Sequence, residues 1–263
     1  MMVIILTVGV VKSVIGQSDY VYVPDRPGMA ANAYAIQLHH ADYEASMFLF
    51  RYADDAGTTT TLTETNLFRY GAFKRLELRA GFNINHAIYP DKSTITGVRD
   101  VNLGVKIPII SNIQYAPDVA VLGTIVLPNS GNKAFTPTLY IPSAALLLQK
   151  SFGSALFISN VGILYDASTV DGYYLTNPHS INCGIQGTYA IAFYYFMGKV
   201  GVMAETYGYY ADKMEPYTAF DCGVTIAVNN SVEVDLSIGA EYDMGFDNSF
   251  INVGFGWLIP TKQ

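Results

Sequence analysis

Charge is scarce in this chain. Of its 263 residues only 14% are Asp, Glu, Lys or Arg, against about 25% in an average soluble protein, so an ordinary water-facing surface would be short of charge. Long apolar runs are missing as well. Beyond residue 16 no uninterrupted stretch reaches the roughly 18 residues of a spanning helix, and 187–198, the nearest to it, is too short. That excludes a helical membrane bundle. Cys183 and Cys222 are the only cysteines. Each falls on the apolar parity of its segment, beside Ile181 and Ile185 or Phe220 and Val224, so both read as small hydrophobes. The histidines offer no metal site: His39 and His40 would point opposite ways in a strand, and His86 and His179 lack neighbours at ligand spacing. Gly-x-Ser-x-Gly, the phosphate loop and the dinucleotide fingerprint are all absent. No Ser, His and polar orienter assemble on one strand parity, so the chain reads as a non-enzyme without cofactor. A net charge of −7 without a Lys/Arg cluster excludes nucleic acid as a partner.

What the sequence does have is alternation. From 231 to 243, Val232, Val234, Leu236, Ile238, Ala240 and Tyr242 share one parity, and Glu233, Asp235, Ser237, Gly239, Glu241 and Asp243 the other. In a strand this makes one apolar and one acidic face. A soluble sandwich would turn the apolar face to a core, whereas a membrane barrel would turn it to lipid and the acids to the lumen. The shortage of charge favours lipid. The same pattern recurs in 75–85, 100–109 and 251–259, with Gly on the polar parity, as a crowded curving inner wall favours. The segment 60–70 departs from it: Glu64 and Phe68 share one parity, Leu67 and Arg69 the other, which a bulge or a strand end outside the membrane would explain.

Turn clusters divide the chain into about twelve strands of ten to fifteen residues, the length of a tilted membrane strand with its ends: 34–51, 60–70, 75–88, 98–109, 118–127, 138–151, 155–166, 179–193, 197–210, 217–228, 232–244 and 250–259. Short connections follow the even strands and mostly longer ones the odd strands, as in barrels with short periplasmic turns and longer outer loops. The expected fold is all-β, a closed antiparallel transmembrane β-barrel. Residues 1–16 read as a signal peptide, 17–33 as an N-terminal periplasmic lead or partial plug, and 34–263 as a single barrel. The last strand, Asn252-x-Gly254-x-x-Trp257-x-Ile259, resembles the terminal signature of outer-membrane barrels, which implies handling by barrel-assembly machinery. The tail 260–263 departs from that signature.

On the polar parity, Arg75, Glu77, Arg79, Asp100 and Lys106 lie on strands three and four, whereas Glu205, Asp221, Glu233, Asp235 and Glu241 lie on strands nine to eleven. These ten are the candidate lumen residues. They place a basic and an acidic arc on opposite sides of a cylinder, where they would either line a polar conduit with a transverse field or fill a closed, salt-bridged interior.

The order Asp25-Arg26-Pro27-Gly28, Arg69-Tyr70-Gly71, Lys74-Arg75-Leu76-Glu77-Leu78-Arg79, Asp100-Val101-Asn102-Leu103-Gly104-Val105-Lys106, Leu127-Pro128, Glu205 and Asp221-x-Gly223-x-Thr225 resembles the outer-membrane transporters grouped with the MetA pathway of phenol degradation. The likeness runs from about Asp25 to Ile259. It departs at Asn129-Ser130-Gly131, where that family tends to have Thr-Gly-Asp, so no role carries over to this loop. The resemblance implies a barrel in the outer membrane of a Gram-negative bacterium, bounded by lipid and passing small, often hydrophobic or aromatic, solutes. Arg26, ahead of strand one, is expected to pair with lumen carboxylates as a plug contact. Two functional readings follow: a passive channel or facilitator without catalysis, and a structural or assembly barrel whose lumen is closed by side chains. A soluble all-β sandwich is the third reading of the pattern.

Overall fold

The computed structural model describes residues 24–55, 57–166, 184–211, 216–242 and 245–259; the expected signal peptide 1–16, residues 17–23, His179 and Cys183 lie outside the described residues. Twelve strands follow in chain order: β1 (Ala41–Asp54), β2 (Gly57–Phe73), β3 (Leu76–Ile88), β4 (Thr94–Ile110), β5 (Asp118–Leu127), β6 (Ile141–Phe152), β7 (Ala155–Asp166), β8 (Gly184–Met197), β9 (Val200–Ala211), β10 (Tyr217–Ala227), β11 (Val232–Glu241) and β12 (Gly245–Ile259). Each pairs with its sequence neighbours, and β1 closes on β12, antiparallel from Ala41↔Ile259 to Tyr52↔Asn248. Closure pairs every strand on both sides along most of its length, which is what allows a sheet to sit in a medium without hydrogen-bonding partners.

The two parities separate cleanly. On β11, Val234, Leu236 and Ile238 are 37%, 45% and 52% exposed, whereas Asp235, Ser237 and Glu241 are 5%, 1% and 8% exposed. A single closed sheet has only an inside and an outside, so the exposed apolar set is the outer face. Met47, Leu103, Ile107, Val161, Phe193 and Val253 continue it around the cylinder. An apolar surface of this extent requires lipid. Closed single-chain barrels with an even strand number are the architecture of bacterial outer membranes, and this one is an outer-membrane barrel. At the end where β1 begins and β12 finishes, Tyr43 pairs with Trp257, stacks on Phe68 with ring centroids 4.6 Å apart and meets Phe255 edge-on at 5.8 Å. This outward cluster is part of an interfacial aromatic girdle.

β5 and β7 coincide with the expected 118–127 and 155–166. Other ends move. The first strand starts at Ala41 rather than 34, because Leu38 forms a parallel bridge to Gly71 and His39 turns the chain with φ of 64°. The eighth runs through 194–196 to Met197, its turn being made at Gly198 with φ of 65°. β12 begins at Gly245 rather than 250. Two connections break the expected length pattern: 55–56 between β1 and β2 is short, and 111–117 between β4 and β5 is long.

The irregularity in 60–70 is neither a bulge nor a strand end. β2 stays in continuous register with both neighbours through these residues, so Glu64 and Asn66 do face outward. They meet their own needs: Asn66 Nδ2 donates to Glu64 Oε1 at 3.2 Å, and the Tyr43 hydroxyl donates to Asn66 Oδ1 at 2.5 Å. Glu64 pairs with Met47 and Ile84 well inside the sheet, where an outward carboxylate is unfavourable. Glu64→Gln, which keeps the acceptor and removes the charge, should stabilise the barrel by about 1 kcal/mol, read as a raised urea midpoint for unfolding from lipid vesicles; a lowered midpoint would show that the charge itself is needed.

Candidate functional site

The inner wall of β1 to β4 carries a compact charge cluster centred on Arg69, which is 2% exposed. Its Nε and Nη2 donate to the two oxygens of Glu77 at 2.9 and 3.0 Å, and its Nη1 donates to Glu44 at 2.7 Å and Asp42 at 3.2 Å. Beside it, Arg79 Nη1 donates to Asp25 at 2.5 Å and to Glu77 at 3.2 Å. Lys106 Nζ, fully buried, reaches both oxygens of Asp25 at 3.1 Å. A planar guanidinium can engage three carboxylates at once because its donors form a fork. Burial alone would raise the Asp25 carboxyl, but Arg69, Lys106 and Arg79 together hold it well below the usual carboxylate range. Asp25 therefore contributes stability that is present at neutral pH and lost only as pH falls through that depressed value.

Asp25 belongs not to the wall but to residues 24–40, which cross the inside of the barrel before β1. The segment bends repeatedly and forms no strand, and five of its backbone donors are met by wall side chains. Asp25 N donates to Glu44 at 3.0 Å, Met29 N and Ala30 N to Glu205 at 2.6 Å each, Ala33 N to Gln149 at 3.0 Å and Ile36 N to Glu77 at 2.8 Å. Arg26 donates Nε and Nη2 to Asp235, both at 3.0 Å, and Nη2 to Asn252 at 3.2 Å. Close approach is sterically allowed by glycine: a Cβ at Gly28 would collide with the Glu205 carboxylate, and one at Gly254 with the Arg26 guanidinium. The segment thus touches β1, β3, β6, β9, β11 and β12.

A second tier of the inner face is aromatic. Phe48, Phe50 and Tyr52 continue the parity of Asp42, Glu44 and Ser46 along β1, with centroid spacings of 5.3 and 5.8 Å. Phe250 of β12 packs on Phe48 and Phe50 at 5.6 and 5.5 Å. Tyr209 stacks on Tyr217 at 4.9 Å. These rings line a cavity of about 520 Å³ that has Met29 and Ala31 of the N-terminal segment in its wall. A separate cavity of about 440 Å³ is lined by Pro24, Arg26, Ala30 and Tyr34 of the same segment, with Gln149, Tyr194, Lys199 and Glu233.

Of the candidate lumen residues, Glu77, Arg79 and Lys106 come together around Asp25 and Arg69. Asp100 stands apart, accepting from Asn83 at 2.9 Å and facing Arg99 Nε at 3.3 Å. Glu205 and Asp221 are direct partners across β9 and β10, Asp235 holds Arg26, Glu233 lines the second cavity, and Glu241 accepts from Asn248 at 2.6 Å. Arg75 requires correction. β3 begins one residue later, at Leu76, so Arg75 sits in the β2–β3 turn, exposed. The expected basic arc is corrected too. Arg69, Arg79 and Lys106 are interleaved with Asp25, Asp42, Glu44 and Glu77, leaving no surplus of positive charge on that side. Arg69, Asp42, Glu44 and the aromatic tier are what sequence reasoning missed; the signal available on β1 was that Asp42, Glu44 and Ser46 share one parity, which Phe48, Phe50 and Tyr52 continue.

The sequence pattern of the family described as "Putative MetA-pathway of phenol degradation" matches residues 24–258. The chain belongs to this family. The family match begins at the inner segment, not at β1, so segment and barrel fall within one unit. No curated sequence matches the chain. Among solved structures it is similar to an outer membrane channel from Pseudomonas putida F1, at TM-score 0.67 and 10% identity over 89% of this chain and 99% of that one. It is also similar to the NanC porin, at 0.53 and 10% over 83% and 100%, and to the KdgM porin, at 0.52 and 7% over 83% and 99%. At these identities the likeness is one of fold.

Within the family's barrel, removing Arg69 would leave Asp42, Glu44 and Glu77 buried without their shared cation. Arg69→Met should destabilise the folded barrel by about 3–5 kcal/mol, measured by urea unfolding in vesicles and by loss of the heat-modifiable band on gels. An unchanged midpoint would mean that Arg79 and Lys106 suffice.

Proposed function

We propose that the protein is a passive, non-catalytic channel of the outer membrane for small solutes, hydrophobic and aromatic ones among them. The observation that carries this reading is the aromatic-lined cavity of about 520 Å³ bordered by residues 24–40, a segment held without a strand ladder, by hydrogen bonds, ion pairs and the packing of Ala30, Ala33 and Ile36 against the wall. Its size suits a one- or two-ring solute, and flat π surfaces favour offset stacking with aromatic guests. A second cavity borders the same segment, so shifting the segment is all that a joined path requires. That the Pseudomonas putida neighbour is described as an outer membrane channel agrees with this reading. Residues 1–16 serve as the export signal, 17–33 as a partial plug, and the terminal strand as the mark that barrel-assembly machinery reads.

The density of ion pairs about Asp25 and Arg69 favours a second reading, a structural barrel whose lumen stays shut. Planar-bilayer recording separates the two. The channel reading expects small conductance steps from the unmodified protein, and several-fold larger ones from Arg26→Ala, which frees the segment from Asp235 and Asn252. Added 2-naphthol should reduce the current, and do so less in Phe250→Ala. Silent insertion of both the unmodified protein and Arg26→Ala, with folded barrels on gels, would favour the structural reading.

A further inference from the structure

The acidic side of the inner wall has no counterpart to Arg69. Strands β8 to β12 contain no Lys or Arg, and Arg26 of the inner segment is committed to Asp235. Glu205 and Asp221 stand directly opposite one another on β9 and β10 and are 4% and 6% exposed. In such a pair the Cβ atoms lie about 4.5–5.5 Å apart, and like charges repel. Both Glu205 oxygens accept backbone N–H groups, from Met29 and Ala30 at 2.6 Å each. Asp221 has no such relief: its Oδ1 is buried and meets no hydrogen-bond partner among the described residues. On its other side Asp221 faces Gly239 of β11, which offers no side chain. A buried carboxylate pair left without a cation is costly, so one more positive charge is needed to complete it.

The surroundings indicate what could carry that charge. Along the same inner parity, Glu205 is followed by Tyr207 and Tyr209, and Asp221 is preceded by Ala219 and Tyr217. The pair therefore lies one step, roughly 7 Å along the strands, from the rings of the aromatic cavity. Phe250, which lines that cavity, reaches towards it: a Cβ built on Gly239 would collide with both the Phe250 ring and the Asp221 Cβ, so ring and acid flank one point. Met29 joins the two levels, bonded to Glu205 through its N–H and bordering the cavity. Ring faces within about 6 Å attract a cation, and an ammonium group brings three donors, enough for Asp221 Oδ1 and a Glu205 oxygen together. A neutral aromatic would use the rings and leave Asp221 unmet; a bare cation would do the reverse.

We propose that Glu205 and Asp221, with Phe250 and Tyr207 beside them, form a binding site for aromatic amines in their ammonium form. The ring stacks in the aromatic tier and the ammonium lies between the two carboxylates. Bound there, it takes over from the Met29 and Ala30 N–H groups as donor to Glu205, so the solute competes with the inner segment for the residue that holds it. The proposal deepens the channel reading and rests on it for passage of the solute, whereas occupancy of the site is measurable without conduction.

The test is calorimetric titration of the folded full-length protein in detergent micelles at neutral pH, corrected for empty micelles, with 2-phenylethylammonium and its neutral counterpart 2-phenylethanol. The ammonium should bind about tenfold or more tightly than the alcohol, and Asp221→Asn should abolish that preference. Glu205→Gln should reduce it in the same direction and carries the test if Asp221→Asn loses the heat-modifiable band on gels. Equal affinities for amine and alcohol would mean that a shared proton completes the pair, and overturn the site. A preference that survives both substitutions and disappears in Glu241→Gln also overturns it, by placing the ammonium at the cavity's own acid. Ammonium chloride binding as tightly as 2-phenylethylammonium overturns the assignment to an aromatic ligand. Discrimination that depends on Asp221 in a protein that never conducts keeps the site and removes the channel reading instead.

Discussion

Backbone N–H groups set the terms of this structure. In lipid none can be left to solvent, so the strands close into a ring in which β1 meets β12. The same closure denies residues 24–36 any strand edge to join. An extended segment inside a closed barrel must find acceptors among side chains, and those near it are Glu44, Glu205, Gln149 and Glu77. The acids of the inner face are therefore in part substitutes for a sheet partner. This accounts for carboxylates such as Glu205, which is 4% exposed and has no cation bonded to it among the described residues: each supplies acceptors to backbone donors that would otherwise be unmet.

Carboxylates gathered for that purpose have to be neutralised where they crowd. On the β1–β4 side this falls to Arg69, whose fork reaches Glu77, Glu44 and Asp42 from one position, with Arg79 and Lys106 committed to Asp25. Such a cluster adds less net stability than its contacts suggest, because each ion has lost its hydration. What it does add is register, since the segment fits the wall in the one placement that sets Asp25 among three cations and Arg26 on Asp235.

How far the sequence was legible follows from the same physics. Period-two alternation identifies a strand and its faces, so twelve strands and a barrel could be read, with β5 and β7 to the residue. Alternation does not say where a strand leaves the sheet, because the pattern can continue into a turn or an inner segment. Arg75 was misplaced by a single residue for that reason, and the first strand was started in what is the inner segment. Polarity also stood in for facing. Arg69 shares its face with Leu67 and was passed over, and Phe48, Phe50 and Tyr52 look like lipid-facing residues although they extend the parity of Asp42 and Glu44. Inner faces can be aromatic once a cavity rather than water fills them, and composition alone does not distinguish the two.

The wall's departure from a regular ladder falls at the same place as its most solute-like surface. Above Val101 the backbone requirement of β4 is met by Asn132 and Ser130 instead of a strand, and side-chain acceptors on a loop can be exchanged without unzipping a sheet. The aromatic tier lies on the inner side of that stretch and exposed Leu139 and Tyr140 near its outer side. The short β5 strand and the self-bonded loop 128–140 are thus the feature that closure alone does not explain.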